Sequence, residues 1–249
     1  MKRILVTRPR AQADEFATKL RGAGFEPIYF PVIEIKPVEN NIGLERALSK
    51  LSCYEWIVFT SVNAVEVVFG NYSRLIFAEG IGTRFAAIGP KTASSLKAHG
   101  IDADFVPEEY VAEAILPGLG DLIGKWVLLP RAEIARKALP EAIFKAGGIP
   151  HEITVYKTLP SQPDPAGLAA LRSGVDVITL TSPSTVENFV AIAEKNGLDP
   201  RNLPNNPLFA CIGPITERAA KEVGLPHLMV AKEYTTDGLV TVLNQMEIS

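Results

Sequence analysis

Short phrases recur along this chain at one long offset. Ile57–Val65 reads IVFTSVNAV and Ile178–Val186 reads ITLTSPSTV, while Phe85–Ile101 (FAAIGPKTASSLKAHGI) returns as Phe209–Leu225 (FACIGPITERAAKEVGL). Glu109-Tyr110 is echoed by Glu233-Tyr234, and VTRPRAQADEF from Val6 is loosely echoed by LLPRAEIARKAL from Leu128. The separation stays at about 121 to 124 residues, far longer than the period of a solenoid, so the pattern is that of two half-chains of one ancestral unit. A ligand site is expected between the two copies.

Composition narrows the class. With 249 residues, 47% of them hydrophobic, the chain is long enough for two modest domains, and the repeat favours two over one. No apolar run reaches the length that spans a bilayer, and Met1-Lys2-Arg3-Ile4-Leu5-Val6 passes straight into a strand-like segment without a signal-peptide core. A soluble cytoplasmic protein is expected, with no membrane partner. The formal charge of −3, spread without a basic stripe, argues against a nucleic-acid partner. Cys53 and Cys211 stand alone among apolar neighbours and are expected as buried, reduced thiols, so no metal site is implied. His99, just before Gly100, is expected at a helix end facing terminal carbonyls.

Strand and helix signals alternate, which is the signature of parallel sheets covered by helices. Apolar strands are predicted at 3–7, 56–60, 85–88, 126–129, 175–180, 208–212 and 228–230. Amphipathic helices are predicted at 11–20, 92–99 and 132–146, each followed by glycine. Two segments break the rhythm. Phe30–Pro37 and Glu152–Pro160 are alternating, β-branched and bracketed by proline, like narrow strands exposed on one face, and they occupy the same place in each repeat. They are expected to pair as a two-stranded connection between domains.

Chemistry concentrates in the strand-to-helix turns. Thr60-Ser61-Val62-Asn63 and Thr181-Ser182-Pro183-Ser184 end apolar strands in hydroxyl residues where a helix begins. Ile88-Gly89-Pro90-Lys91-Thr92 and Ile212-Gly213-Pro214-Ile215-Thr216 repeat the arrangement with glycine. Turns of this kind point backbone N–H groups outward at the positive end of a helix dipole, a favourable place for carboxylate or phosphate. One such turn is ordinary helix capping; four, all at carboxyl ends of parallel strands, define a candidate ligand site. The chain has no GxGxxG, no GxxxxGK[ST] and no GxSxG, so dinucleotide binding, P-loop phosphoryl transfer and α/β-hydrolase chemistry lack their usual geometry.

VTRP near the start, WIVFTSVNAV, AAIGPKTASSLKAHG, VYKT, ITLTSPSTVENF, CIGPITERAAKEVG and EYTTDGL follow one another in an order and spacing that resembles uroporphyrinogen-III synthase over nearly the whole chain. No single phrase is diagnostic; their combination carries the resemblance. It implies an α/β fold with two parallel-sheet, flavodoxin-like domains from an internal duplication, joined by a two-stranded β-ladder, the first domain discontinuous. Residues 1–32 and 160–249 form one domain on this reading, 38–152 the other, and 33–37 with 153–159 the ladder, a hinge whose closure adjusts the cleft. From the residues alone, a linear cut near Gly124 is the alternative.

The resemblance further implies a cyclising hydro-lyase of tetrapyrrole and heme biosynthesis. Its substrate is hydroxymethylbilane, an octa-anionic linear tetrapyrrole supplied by porphobilinogen deaminase; it is closed with loss of water and inversion of ring D to uroporphyrinogen III. No cofactor is required, and a monomer suffices. Tyr156 in VYKT matches the tyrosine beside the family's cleft, where its phenol assists departure of the hydroxyl or orients it, the alternative being a tyrosine that merely packs across the ladder. Ser61, Thr92, Ser182, Ser184 and Thr216 match the turns that hold acetate and propionate groups. Arg8 and Arg131 occupy equivalent places after the first strand of each repeat, where each either binds a carboxylate of the ligand or pairs with a local acid. Lys91 has Ile215 as its counterpart, so unequal binding by the two halves is expected. A noncatalytic two-lobed small-molecule binding protein or sensor is the other functional class that fits.

Overall fold

The computed structural model describes residues 1–79, 82–109 and 112–245. In chain order its elements are β1 (Arg3–Val6), α1 (Arg10–Gly22), β2 (Glu26–Tyr29), β3 (Ile33–Pro37), α2 (Ile42–Leu48), β4 (Tyr54–Phe59), α3 (Val62–Glu79), β5 (Arg84–Ala87), α4 (Pro90–Ala98) and α5 (Ala112–Leu119). They continue as β6 (Trp126–Ala132), α6 (Ala138–Lys145), β7 (Ile149–Pro160), α7 (Pro165–Ser173), β8 (Val177–Leu180), α8 (Pro183–Lys195), β9 (Leu208–Cys211), α9 (Pro214–Glu222), β10 (Leu228–Val230) and α10 (Thr236–Gln245). Two compact units result, Met1–Glu34 with Leu159–Ser249 and Ile35–Thr158. Gly124 falls inside the second unit, so the chain does not divide there.

The first unit is discontinuous because its sheet needs β1 in an interior position. The strand order is β10-β9-β8-β1-β2, with β1 parallel to β8 on one side through Ile4↔Val177, Leu5↔Ile178 and Val6↔Thr179, and parallel to β2 on the other. Successive side chains of a strand point to opposite faces, and both faces here are covered by helices, so the strands read as continuous apolar runs. Ile4 and Val6 join Phe16, Leu20, Leu239 and Leu243 on one face, whereas Leu5 joins Ile178, Leu180, Phe189 and Phe209 on the other. Two polar side chains sit in this interior with their hydrogen bonds satisfied. The buried Thr7 hydroxyl donates to the Thr179 carbonyl at 2.5 Å and the buried Thr179 hydroxyl to the Leu5 carbonyl at 3.0 Å, cross-linking β1 to β8.

The second unit repeats the scheme with the order β3-β7-β6-β4-β5. Ile57 and Phe59 pack with Val65, Val68 and Leu128 on one face, and Trp56 and Val58 with Val127, Leu129, Ile115 and Ile143 on the other. The chain crosses between the units in β3 and again in β7, which are neighbours in this sheet. Main-chain bonds from Val38 to Val155 (2.9 Å) and from Ser161 to Val32 (3.1 Å) run antiparallel. The proline-bracketed, alternating segments therefore form a paired ribbon.

Three local expectations are corrected. The helix predicted from Ala132 starts at Ala138, because Arg131 and Ala132 instead extend β6, opposite Thr154 and Tyr156 of β7, and pairing outweighs helical propensity. Cys211 is buried, with its thiol pushed up to about 12 by loss of hydration, but Cys53 is exposed, since it ends the short turn before β4. His99 does terminate α4, yet its ring lies on Phe69 at 5.2 Å and its Nε2 meets Glu66 at 3.2 Å, because α3 runs alongside. Tyr110 lies outside the described residues. Among the described residues no helix is long and apolar enough to cross a membrane.

Candidate active site

Parallel strands share one carboxyl edge, so the topology gathers the turns of each unit. In the first unit these are Thr7-Arg8-Pro9 after β1, Thr181-Ser182 after β8 and Ile212-Gly213 after β9; in the second, Thr60-Ser61 after β4, Ile88-Gly89 after β5 and the neighbouring ends of β6 and β7.

The two glycine turns have the same conformation. Gly89 (φ −173, ψ 174) and Gly213 (φ −171, ψ 174) are extended, and each carbonyl accepts the amide four residues on, Ala93 and Glu217, both at 3.0 Å. Proline follows as the first helical residue in both, and neither helix has a side-chain cap. The amides of Lys91 and Thr92 and of Ile215 and Thr216 thus open α4 and α9 without a protein side chain to satisfy them. Thr92 and Thr216 are themselves buried, while Lys91 and Ile215 are exposed. Gly213 also has a steric reason to be glycine, since a Cβ there would stand 3.3 Å from the ring of Tyr234. Tyr234, 66% exposed, is a site neighbour that the repeat pointed to without a role.

The hydroxyl turns are more occupied than their sequence suggests. Ser182 caps α8 by accepting the Thr185 amide at 3.2 Å, and the Thr185 hydroxyl accepts the amides of Thr181 and Ser182 at 3.0 and 2.9 Å. Thr185, which sequence reasoning passed over, is signalled only by its place three residues after Ser182 and just before the apolar run of α8. Because Pro183 has no N–H, the donors left at this helix start are the Ser184 amide and the hydroxyls of Ser182 and Ser184, 3.0 Å apart. In the second unit Ser61 accepts the Ala64 amide at 3.1 Å and also meets the Tyr156 hydroxyl at 3.1 Å. Tyr156 is buried against the second unit's core, and the contact with Ser61 fixes its phenol at the carboxyl edge. Two candidates predicted from separate phrases are thereby brought together.

The arginines, equivalent in sequence, differ in environment. Arg8 donates to Gln12 at 2.8 Å, its Nε is buried without a partner, and burial pushes its guanidinium below the ordinary value, with Glu15 opposing part of that effect. Arg131 is only 6% exposed and is already engaged. It donates to Glu152 at 2.6 Å and to the Arg136 carbonyl, although its Nε is also unpartnered, and Lys137 reaches the same Glu152 carboxylate at 3.1 Å. Of the two readings open for Arg131, pairing with a local acid is the one this structure contains. Removing Glu152 leaves a buried cation unpaired, a change that costs about 2 to 3 kcal/mol once the partial exposure of the carboxylate is allowed for. Glu152→Ala is expected to lower Tm by about 5 to 10 °C in thermal unfolding, and an unchanged Tm would show that Arg131 does not depend on the pair.

Among the described residues no group of three or more His, Cys, Asp or Glu side chains is arranged to hold a metal. What the carboxyl edge of each unit offers is hydroxyls and backbone amides, joined in the first unit by the half-buried Arg8 with its unpartnered Nε, donors suited to carboxylates.

Fold and turns together define a two-unit α/β protein whose strand-to-helix turns present unsatisfied donors. The family model described as uroporphyrinogen-III synthase HemD matches residues 14–241. The uroporphyrinogen-III synthase of Synechococcus elongatus is 33% identical over 253 aligned residues, covering 98% of this chain and 95% of that protein. That of Chlorobaculum parvum is 30% identical, covering 90% and 91%. The chain belongs to the uroporphyrinogen-III synthase family. The crystal structure of uroporphyrinogen-III synthetase from Helicobacter pylori shares the fold, with a TM-score of 0.67 at 19% identity and coverage of 99% and 100%. A mutant uroporphyrinogen III synthase from Thermus thermophilus gives 0.59 at 20%, with full coverage of both chains.

Proposed function

We propose that this chain closes hydroxymethylbilane to uroporphyrinogen III, with loss of water and inversion of ring D, and that it does so by holding carboxylates on its strand-to-helix turns. The observation that carries the site assignment is the pair of uncapped helix starts at Gly89-Pro90 and Gly213-Pro214, one in each unit. Family membership supports the reaction and disfavours the noncatalytic sensor.

The chemistry asks for little beyond orientation. The C–O bond of the hydroxymethyl group breaks, its oxygen leaves as water after gaining a proton, and the resulting azafulvene is attacked by the substituted carbon of the terminal pyrrole. The spiro intermediate then rearranges with that ring turned over. Free substrate closes without inversion, so keeping the symmetric isomer to about one per cent requires the inverting route to be favoured by about 2.7 kcal/mol. Fixing both ends of the chain by their carboxylates supplies such a bias by restricting conformations.

In this reading the amides and hydroxyls at Ser61, Thr92, Ser182, Ser184 and Thr216 hold acetate and propionate groups. Lys91 adds charge on one side only, and Arg8 pairs with a carboxylate that relieves its unpartnered Nε. Tyr156, steadied by Ser61, hydrogen-bonds the departing hydroxyl and assists it as a proton donor. Arg131 acts through Glu152 to shape the end of β6, beside Tyr156. The same reading has the chain working as a cytoplasmic monomer on substrate delivered by porphobilinogen deaminase, without a cofactor.

The test is a coupled assay. Porphobilinogen deaminase generates hydroxymethylbilane with and without this protein, and the oxidised uroporphyrins are separated by chromatography. Predominant type III isomer is expected; type I alone, from folded protein, would refute the reading.

A further inference from the structure

The second unit carries a cavity at the end of its sheet away from the proposed site. It has a volume of about 470 Å³ and is lined by Gly43, Arg46, Ala47, Lys50, Cys53, Tyr54, Trp126 and His151. Tyr54 and Trp126 are the first residues of β4 and β6 and lie opposite each other in register, and His151 is near the start of β7. Ser61 and Tyr156 lie at the other end of the same strands, on the order of 20 Å away along β4.

One wall is aromatic. The rings of Tyr54 and His151 stack with centroids 5.9 Å apart, Trp126 meets both edge-on at 6.2 and 6.0 Å, and the Tyr54 hydroxyl and His151 Nδ1 share a hydrogen bond of 2.6 Å. Trp126 is 45% exposed, although a tryptophan among packed rings is ordinarily covered. The facing wall is one face of α2 and the residues that follow it. Gly43, Arg46 and Ala47 share one face of α2 at positions i, i+3 and i+4, and Lys50 follows just beyond its end, so this part of the lining consists of two small residues and two cations. No lining residue is acidic, and among the described residues neither Arg46 nor Lys50 has an ion-pair partner.

We propose that this cavity is a second binding site, for a small planar aromatic molecule carrying a carboxylate or similar anion. The ring fits between the small residues and the Trp126 face, and the anion meets Arg46 and Lys50. The volume lies within the range of about 300 to 1,000 Å³ usual for small-ligand sites, and an aromatic wall with a few placed polar groups is their usual composition. Burial holds the Tyr54 hydroxyl protonated to a higher pH than usual, so the wall itself adds no negative charge.

The probe is 2-naphthoate, with cyclohexanecarboxylate as the comparator of equal charge and no aromatic ring. Two readouts report on the cavity: quenching of Trp126 fluorescence over the steady background of buried Trp56, and protection of exposed Cys53 from alkylation by iodoacetamide, to which buried Cys211 is inert. Saturable quenching and Cys53 protection over one concentration range are expected, with weaker effects from cyclohexanecarboxylate. Arg46→Glu with Lys50→Glu, both exposed positions, is expected to weaken 2-naphthoate by about tenfold or more at unchanged Tm. Absence of saturable quenching, quenching without protection of Cys53, or equal affinity in the charge-reversed variant would each overturn the proposal.

Discussion

Tyr156→Phe is expected to slow turnover by roughly ten- to a hundredfold, at or below the low end of the roughly 10²- to 10⁴-fold that a positioned proton donor contributes because the phenol assists departure without being indispensable, while leaving the product predominantly type III. The substitution removes one oxygen whose hydrogen-bond partner is the Ser61 hydroxyl and leaves the ring packed in the second unit's core. Stability should therefore change by no more than about 1 kcal/mol, the net worth of a single hydrogen bond. The two effects separate in a steady-state assay of kcat alongside the isomer ratio. If kcat is retained, Tyr156 is a packing residue; if type I isomer rises in proportion to the lost turnover, the phenol and not the turns directs ring inversion.

The second large effect is expected from Ser182→Asp. Aspartate is as good a helix N-cap as serine, so the Thr185 amide keeps an acceptor and Tm should not fall. A carboxylate of the substrate arriving at the Ser184 amide would then meet a fixed negative charge. At a separation of about 5 Å and an effective dielectric of about 20 the repulsion is about 3 kcal/mol, and allowing for salt and solvent it is about 1 to 3 kcal/mol. KM should rise by roughly ten- to a hundredfold, more at low salt, in the coupled assay. A KM that does not move would show that the turn only caps α8. A purely capping role predicts that neither Tm nor KM moves, because aspartate replaces serine as the cap.

The central strands were legible because they are buried on both faces, which writes them as apolar runs such as Trp56–Phe59 or Leu208–Cys211, whereas β2, exposed or half-buried throughout, carries no such run and was not predicted. Three of the four turns were legible because proline at the first helical position, Pro90, Pro183 or Pro214, leaves a mark in the sequence, and the Thr60-Ser61 turn was legible from its match to Thr181-Ser182 in the repeat. Tertiary relations were not. Nothing in the local residues says that Arg131 and Ala132 continue β6, because that depends on β7 lying beside them. The burial of Arg131 beside Glu152, a partner twenty-one positions along, separates it from Arg8 only once the strands are paired. The occupied amides at Ser182 were also missed, since threonine at position 185 reads as an ordinary helical residue until its hydroxyl is seen accepting two backbone bonds. Cys53 looked like its buried counterpart because its neighbours are apolar, but a short turn before a strand leaves the thiol outside.

Carboxylates held by particular amides are reported most directly by the amide resonances. Uroporphyrinogen III, kept reduced under argon, would be titrated into ¹⁵N-labelled protein. Saturable shifts are predicted for the amides of Lys91, Thr92, Ile215 and Thr216, which open α4 and α9 without a side-chain cap, and of Ser184, the amide left over beside the Ser182 cap of α8. Saturable shifts confined to other residues, with these five unmoved, would contradict the account.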